Sequence, residues 1–115
     1  MGRDDAHVLD MLIAARRVEE ATRGRSLEEF GADWQLQSAV QHQLMILGEA
    51  VKRLSAEFRE QHTQFPWQAM AGHRDILIHQ YDAVDLAEVW RIATEELPSL
   101  TRFLESIVPK EGDGR

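Results

Sequence analysis

Apolar residues recur at intervals of three and four along most of this 115-residue chain, a spacing typical of α-helices. The longest such pattern follows Asp33 as one stripe of side chains: Leu36, Val40, Leu44, Leu47, Val51 and Leu54. No segment alternates apolar and polar residues in the way that a half-buried strand does. The sequence therefore predicts an all-α protein.

Residues that favour helix ends divide the chain into separate helices. Asp4 and Asp5 suit the start of a first helix, and Gly24 suits its end. Ser26 is followed three residues later by Glu29, which is a capping box that opens a short helical turn. These signals predict one long helix and one short one before residue 33.

The rest of the chain carries further helix boundaries. A second long helix is expected from about Asp33, and the polar residues 59–64 (REQHTQ) are expected to form a loop after it. Pro66 suits the first turn of a third helix, and Asp85 opens the last helix as part of a second capping box. Pro98 is expected to kink or interrupt that last helix. The expected architecture is an up-and-down bundle of four main helices plus short helical turns.

Length and composition limit the domain organisation and the location of the protein. A chain of this length suits a single domain, which we expect at residues 1–110, with a mobile polar tail at 111–115. There is no cysteine, so disulfides, thiolate chemistry and zinc sites that use sulfur are excluded. No apolar run approaches the roughly 18 residues of a membrane span, and the N-terminus has no apolar signal core. We therefore expect a cytoplasmic protein with no membrane association.

The formal net charge of −7 argues against a generic nucleic-acid binder. Any polyanion is expected to approach the part of the chain where basic residues cluster: Arg16, Arg17, Arg23, Arg25, Lys52 and Arg53. The alternative is that each of these residues is a solvated charge on a helix face.

The run RDILIHQY at residues 74–81 brings three reactive side chains into one short segment. Arg74 is a permanent planar cation that suits phosphate. His79 can give or take a proton near neutral pH, and Tyr81 can donate a hydrogen bond or accept a covalent group. These groups suit RNA cleavage by the ribose 2′-hydroxyl, a reaction that needs proton transfer and stabilisation of charge on the phosphorus centre.

Helix geometry limits how these side chains can meet. His79 follows Arg74 by five residues, a rotation of about 140° beyond a full turn, so the two do not share a face of a regular helix. Asp75 precedes His79 by four residues and does share its face, where it can fix the imidazole tautomer. Arg74 and His79 can converge if the helix end unwinds, or if two copies of the segment meet across a dimer axis. We favour the dimer, because it also supplies two histidines for the acid and base roles.

Spacing alone leaves other interpretations open. An arginine and a histidine on one helix are more often surface or capping residues than catalytic ones. Asp75, His79 and Asp82 have the spacing of a metal site, although such a set is common by chance, and we expect no metal. Glu49 either faces the active cleft in a supporting role or is a partly exposed helix acid.

Two further groups of residues are expected to have structural roles. Three histidines are expected at surface or structural positions: His7, His42 and His62. The tryptophans are expected to anchor the core or a dimer interface: Trp34, Trp67 and Trp90.

The order arginine, four residues, histidine, one residue, tyrosine at 74–81 resembles the motif of the HEPN superfamily, and more narrowly that of the HepT toxins of toxin–antitoxin pairs. Two longer stretches are also similar to that family: LEEFGADWQLQSAVQHQLMILGEAVKRLS at 27–55 and FPWQAMAGHRDILIHQYDAVDLAEVW at 65–90. The resemblance runs from about Asp4 to Ile107. One departure is His73, where relatives often carry methionine.

The resemblance implies an α-helical homodimer with its active cleft between the protomers. It implies metal-independent endoribonuclease activity without a cofactor, with Arg74 and His79 as the catalytic residues. It also implies a minimal nucleotidyltransferase as antitoxin, a type VII-like system in which AMP transfer to Tyr81 silences the toxin. The alternative is a catalytically inactive HEPN binding module that engages a nucleotidyltransferase or a nucleotide, and the negative charge mildly favours it.

Overall fold

Helices make up all the regular secondary structure in the residues that the structure describes, 2–72 and 85–108. The helices of this computed structural model are α1 (Asp5–Thr22), α2 (Leu27–Ala32), α3 (Trp34–Lys52), α4 (Ala56–Gln61), α5 (67–72 in its described part), α6 (Leu86–Arg91) and α7 (Leu97–Ile107). A π-helical turn at Ile92–Glu96 joins α6 to α7. No helix in these residues is long and apolar enough to cross a membrane. The prediction of an all-α fold is confirmed.

A left-handed glycine and side-chain caps mark the predicted boundaries between the first three helices. Gly24 adopts φ +72°, the left-handed conformation that commonly ends a helix, just after α1. The Ser26 hydroxyl accepts from the Glu29 amide at 3.1 Å, and the Glu29 carboxylate accepts from the Ser26 amide at 3.0 Å. Asp33 caps α3 by accepting from the Leu36 amide at 3.0 Å. Because these bonds are local, the sequence alone was enough to predict them.

The core lies along α1, which packs between α3 and α7. The stripe predicted on the second long helix is buried, and Val40 and Val51 are fully enclosed. Leu12 of α1 and Leu104 of α7 supply the opposing side chains. The same spacing that predicted helices therefore also identified the face that the bundle buries.

A pair of hydrogen bonds connects the start of α1 to the end of α3. The Asp4 carboxylate accepts from the Ser55 amide and from the Ser55 hydroxyl, both at 2.8 Å. Because Ser55 follows α3 and Asp4 precedes α1, these bonds place the two long helices antiparallel. Bonds to a charged acceptor of this kind are each worth about 1.5–3 kcal/mol.

The prediction of a loop at residues 59–64 is wrong in its first half, because α4 extends to Gln61. Ser55 caps this helix by accepting from the Phe58 amide at 3.1 Å, and Arg59 donates to the Val51 carbonyl at 2.7 Å. The Phe58 ring packs on His62, with centroids 4.6 Å apart. A cap, a local ring contact and a hydrogen bond to α3 thus stabilise a helix in a polar segment that has no apolar periodicity of its own.

Pro98 has the predicted effect on the last helix. Its ring clashes with the carbonyl four residues earlier in a regular helix, and it has no N–H to donate. The chain accommodates it with the π turn, in which the Leu97 amide bonds to the Ile92 carbonyl. The Thr94 hydroxyl donates to the Trp90 carbonyl at 2.8 Å within the same turn.

The three tryptophans have different environments. Trp67 is buried in the core, as expected. Trp90 is half-buried, and its ring lies 5.2 Å from that of Phe30. Trp34 is 70% exposed at the start of α3, so within this chain it is not a core residue.

Candidate active site

The motif itself lies outside the described residues. This applies to His73, Arg74, Asp75, His79, Tyr81 and Asp82, whose expected roles stay predictions. The structure does describe the two segments that flank the motif, which end at Gly72 and resume at Asp85. The described residues that bear on the site are its two flanking segments and Glu49.

A buried tryptophan fixes the segment that leads into the motif. Trp67 is 5% exposed, and its indole Nε1 donates to the His62 carbonyl at 2.7 Å. The rings of Phe58 and Phe65 lie 5.8 and 5.5 Å from the Trp67 ring. Pro66 precedes α5 at the predicted position. Trp67 is therefore a rigid aromatic anchor seven positions before Arg74 in the sequence.

The segment that follows the motif is held equally firmly. The Asp85 carboxylate caps α6 by accepting from the amides of Ala87 and Glu88 at 3.0 and 3.3 Å. Val89 is fully buried, and Trp90 packs on Phe30 of α2. A side-chain cap and an aromatic contact therefore fix where the chain resumes after the motif.

Arg91 is the cation of the flanking segments, and two carboxylates hold it. It bonds to Glu88, and its Nη2 lies 2.8 Å from Glu96 across the π turn. The hydrogen bond to Glu88 and the charge of Glu96 raise the pKa of Arg91 above its ordinary value. Arg91 therefore links α6 to the π turn through two ion pairs on the surface.

A cavity of about 770 Å³ reaches the entry to the motif, because Gly72 lines it. Its floor is apolar, with residues from α3, α5 and α7 that include Leu44, Leu47, Met70 and Leu100. Three acids and Arg91 lie at its rim: Glu88, Glu95 and Glu96. An apolar floor with an acidic rim suits an apolar or basic segment better than it suits RNA.

Glu49 lines a second, open cavity of about 300 Å³ between α1 and α3. Its side chain is half-buried, and its Oε1 accepts from Nε and Nη2 of Arg53 at 3.4 and 3.3 Å. Met45, Ile46 and Ala50 form the apolar part of the lining. The structure thus places Glu49 at a cavity, and its support of catalysis stays a prediction.

Sequence reasoning missed the companions of Glu49 in this cavity. His7 and Asp10 reach it from α1, and Arg53 reaches it from α3. The only available signal was spacing, since His7 and Asp10 are three residues apart and Glu49 and Arg53 are four apart. That spacing shows which residues share a helix face, but not that the two faces meet.

The six basic residues expected to attract a polyanion are all exposed. Arg16 pairs with Glu105 at 3.0 Å, Arg25 with Asp33 at 3.6 Å and Arg53 with Glu49 at 3.3 Å. Exposed pairs of this kind contribute only about 0–1 kcal/mol and open readily. Exposure with weak pairing, as at Arg16, Arg25 and Arg53, is typical of solvated charges on helix faces.

No three histidine, aspartate or glutamate side chains within residues 2–72 and 85–108 are arranged to hold a metal ion. The alternative metal site of Asp75, His79 and Asp82 lies outside those residues. The expectation of metal-independent activity therefore stays a prediction.

A family model described as Ribonuclease HepT-like matches residues 11–107. The chain belongs to the HepT-like ribonuclease family. The matched range contains Glu49, both flanking anchors and the whole segment 74–81. The resemblance to the HEPN superfamily found in the sequence is therefore confirmed.

Curated HepT-like relatives cover most of the chain. It is 42% identical over 92 residues to "Putative RNase TTE0752" of Caldanaerobacter subterraneus, covering 80% of this chain and 82% of that protein. It is 39% identical over 98 residues to "Probable ribonuclease HepT" of Thermococcus cleftensis, covering 85% and 89%. It is 37% identical over 102 residues to "Gamma-glutamylcyclotransferase and putative RNase MJ0434" of Methanocaldococcus jannaschii, covering 89% of this chain and 45% of that longer protein. No solved structure matches the chain.

Proposed function

We propose that this HepT-like protein is a metal-independent endoribonuclease and the toxin of a type VII-like toxin–antitoxin pair. The observation that carries the proposal is the family match over residues 11–107, which spans an intact arginine, histidine and tyrosine at the motif spacing. Relatives that share 42% and 39% identity are named as RNases, which supports the same reaction class.

The proposed reaction is cleavage of an RNA phosphodiester by the neighbouring 2′-hydroxyl. One His79 accepts the 2′-hydroxyl proton as the 2′-oxygen bonds to phosphorus. The bond from phosphorus to the 5′-oxygen then breaks, and a second imidazole protonates that leaving oxygen. Arg74 stabilises the negative charge on the phosphorane. The products are a 2′,3′-cyclic phosphate and a free 5′-hydroxyl.

A homodimer supplies the second imidazole in this proposal. Within one regular helix Arg74 and His79 point to different faces, so two copies of the segment across a dimer axis bring together groups that one copy separates. In each copy, Asp75 orients His79 as its neighbour four residues away.

RNA cleavage by the purified protein tests the proposal. Incubation with total RNA in the presence of EDTA is expected to yield fragments that end in 2′,3′-cyclic phosphate and begin with 5′-hydroxyl. Expression without the partner is expected to arrest growth. Intact RNA across several substrates, or cleavage that stops when EDTA is added, contradicts the proposed chemistry.

Control of the toxin is proposed to act on Tyr81 through transfer of AMP by a nucleotidyltransferase antitoxin. Tyr81 is the only tyrosine in the chain, so a modified tyrosine can occur at no other position. Mass spectrometry after co-expression with a neighbouring nucleotidyltransferase is expected to find added AMP on the peptide that contains Tyr81.

The matched control for that experiment is Tyr81→Phe, which removes only the hydroxyl. It is expected to lose the modification and to remain toxic in the presence of the antitoxin. An unmodified Tyr81 peptide in a fully neutralised complex would point to inhibition by contact instead.

A catalytically inactive binding module is the second candidate function, and the net charge of −7 favours it. RNA has to overcome a repulsive average field to reach this protein. Tight binding of a nucleotidyltransferase by a protein that cleaves no RNA would support this candidate over the ribonuclease.

A further inference from the structure

The cavity between α1 and α3 combines an apolar surface with hydrogen-bonding groups of both kinds. Ile46 and Ala50 contribute the apolar surface, and Asp10 and Glu49 contribute carboxylate acceptors. Arg53 contributes donors, and two of its five N–H groups are used in the bond to Glu49. The cavity therefore suits a flat ligand that carries donors and acceptors on its edge.

The charge of the cavity argues against phosphate as its ligand. Within residues 2–72 and 85–108 no ion pair offsets the carboxylate of Asp10, and the Arg53 guanidinium is already bonded to Glu49. The Asp10 carboxylate repels a phosphate, whereas it does not repel a neutral heteroaromatic ring. The imidazole of His7, which is half-buried at the cavity, offers a ring on which a base can stack.

Asp10 is the group that remains available to the ligand. Its side chain is exposed, and no hydrogen bond or ion pair joins it to another side chain within residues 2–72 and 85–108. A carboxylate only accepts hydrogen bonds, so its best partner presents two adjacent N–H donors. Guanine has such a pair, N1–H and N2–H, beside the O6 and N7 acceptors that arginine binds.

We propose that this cavity is a guanine subsite, in which Asp10 accepts from the base edge and Arg53 donates to O6 or N7. Ile46 and Ala50 contact the ring, and His7 stacks on it. The subsite takes one base of an RNA substrate and gives the protein a preference for RNA that contains guanosine. This inference rests on the proposed function only because it takes RNA as the source of the base.

Mononucleotide binding tests the subsite without any need for catalysis. GMP, AMP, CMP and UMP carry the same phosphate, so a difference between their dissociation constants reports the base. Each nucleotide is titrated into the His79→Ala variant, and binding is measured by calorimetry and by NMR shifts of α1 and α3 amides. The dissociation constant of GMP is expected to be about tenfold lower than those of the others. Asp10→Asn is expected to weaken GMP about tenfold and to leave AMP unchanged.

Glu20→Gln is the matched control, because it removes one carboxylate from an exposed position of α1 that does not line the cavity. It is expected to keep the preference for GMP. Equal affinity for the four nucleotides would overturn the proposed subsite. GMP binding that does not change in Asp10→Asn would overturn it as well.

The subsite and the ribonuclease proposal fail in different ways. A GMP preference that depends on Asp10 in a protein that cleaves no RNA would uphold the subsite and contradict the ribonuclease. Cleavage of RNA by a protein that binds the four mononucleotides alike would overturn the subsite alone.

Discussion

Alanine in place of His79 is expected to slow RNA cleavage by about 100- to 10,000-fold, the usual contribution of a positioned proton-transfer group. The loss is expected in kcat, because the imidazole acts on the reacting oxygens and not on the affinity for RNA. Single-turnover cleavage of a defined RNA measures it, with RNA binding by the same variant measured separately. Expression of the variant without its partner is expected to permit growth.

The sequence offers a matched control for this substitution in His73, which lies one residue before Arg74. His73→Ala makes the same chemical change in the same segment, and it is expected to leave cleavage within a few fold of the parent. Equal losses from the two substitutions would show that they act on the fold of the segment, and the catalytic assignment of His79 would then be wrong.

Alanine in place of Phe30 is expected to lower the free energy of unfolding by about 3–5 kcal/mol, as large-to-small changes in a core do. Phe30 is fully buried, and it is the buried residue of the six-residue helix α2. Its ring packs on Trp90 of α6 at 5.2 Å. One substitution therefore removes the aromatic contact through which α2 holds the segment that follows the motif.

Urea denaturation followed by circular dichroism measures this change as a shift of the midpoint at constant slope. Leu27→Ala is the control on the same helix, because Leu27 is 45% exposed. It is expected to alter stability by about 0.5 kcal/mol or less. If Phe30→Ala lowers the free energy of unfolding as little as Leu27→Ala does, then α2 contributes little to the stability of the bundle.

Features that depend on neighbours in sequence were predictable. The capping box at Ser26 and the cap at Asp33 need only a side chain and an amide three residues away. The stripe from Leu36 to Val51 is buried because the period of a helix puts those residues on one face of α3. Pro98 interrupts its helix because the lost N–H and the ring clash are properties of proline itself.

Features that depend on contacts between distant residues were not predictable. The helix α4 is also stabilised by the bond from Arg59 to the Val51 carbonyl and by packing of Phe58 on Trp67, and its polar sequence gave no sign of these contacts. The cavity beside Glu49 exists because His7 and Asp10 lie on a helix that packs against α3, and no spacing rule shows that contact. Family resemblance gave the motif roles, and those at 74–81 stay predictions.

The π turn at Ile92–Glu96 has an evolutionary consequence. Such a turn holds one residue more than the α-helical path it replaces, so it corresponds to the insertion of a single codon. Deletion of that codon would rotate α6 by about 100° relative to α7 and carry Val89 away from the core. The additional residue in the π turn and Pro98 are therefore expected to occur together. Homologues that are one residue shorter in this turn should also lack the proline.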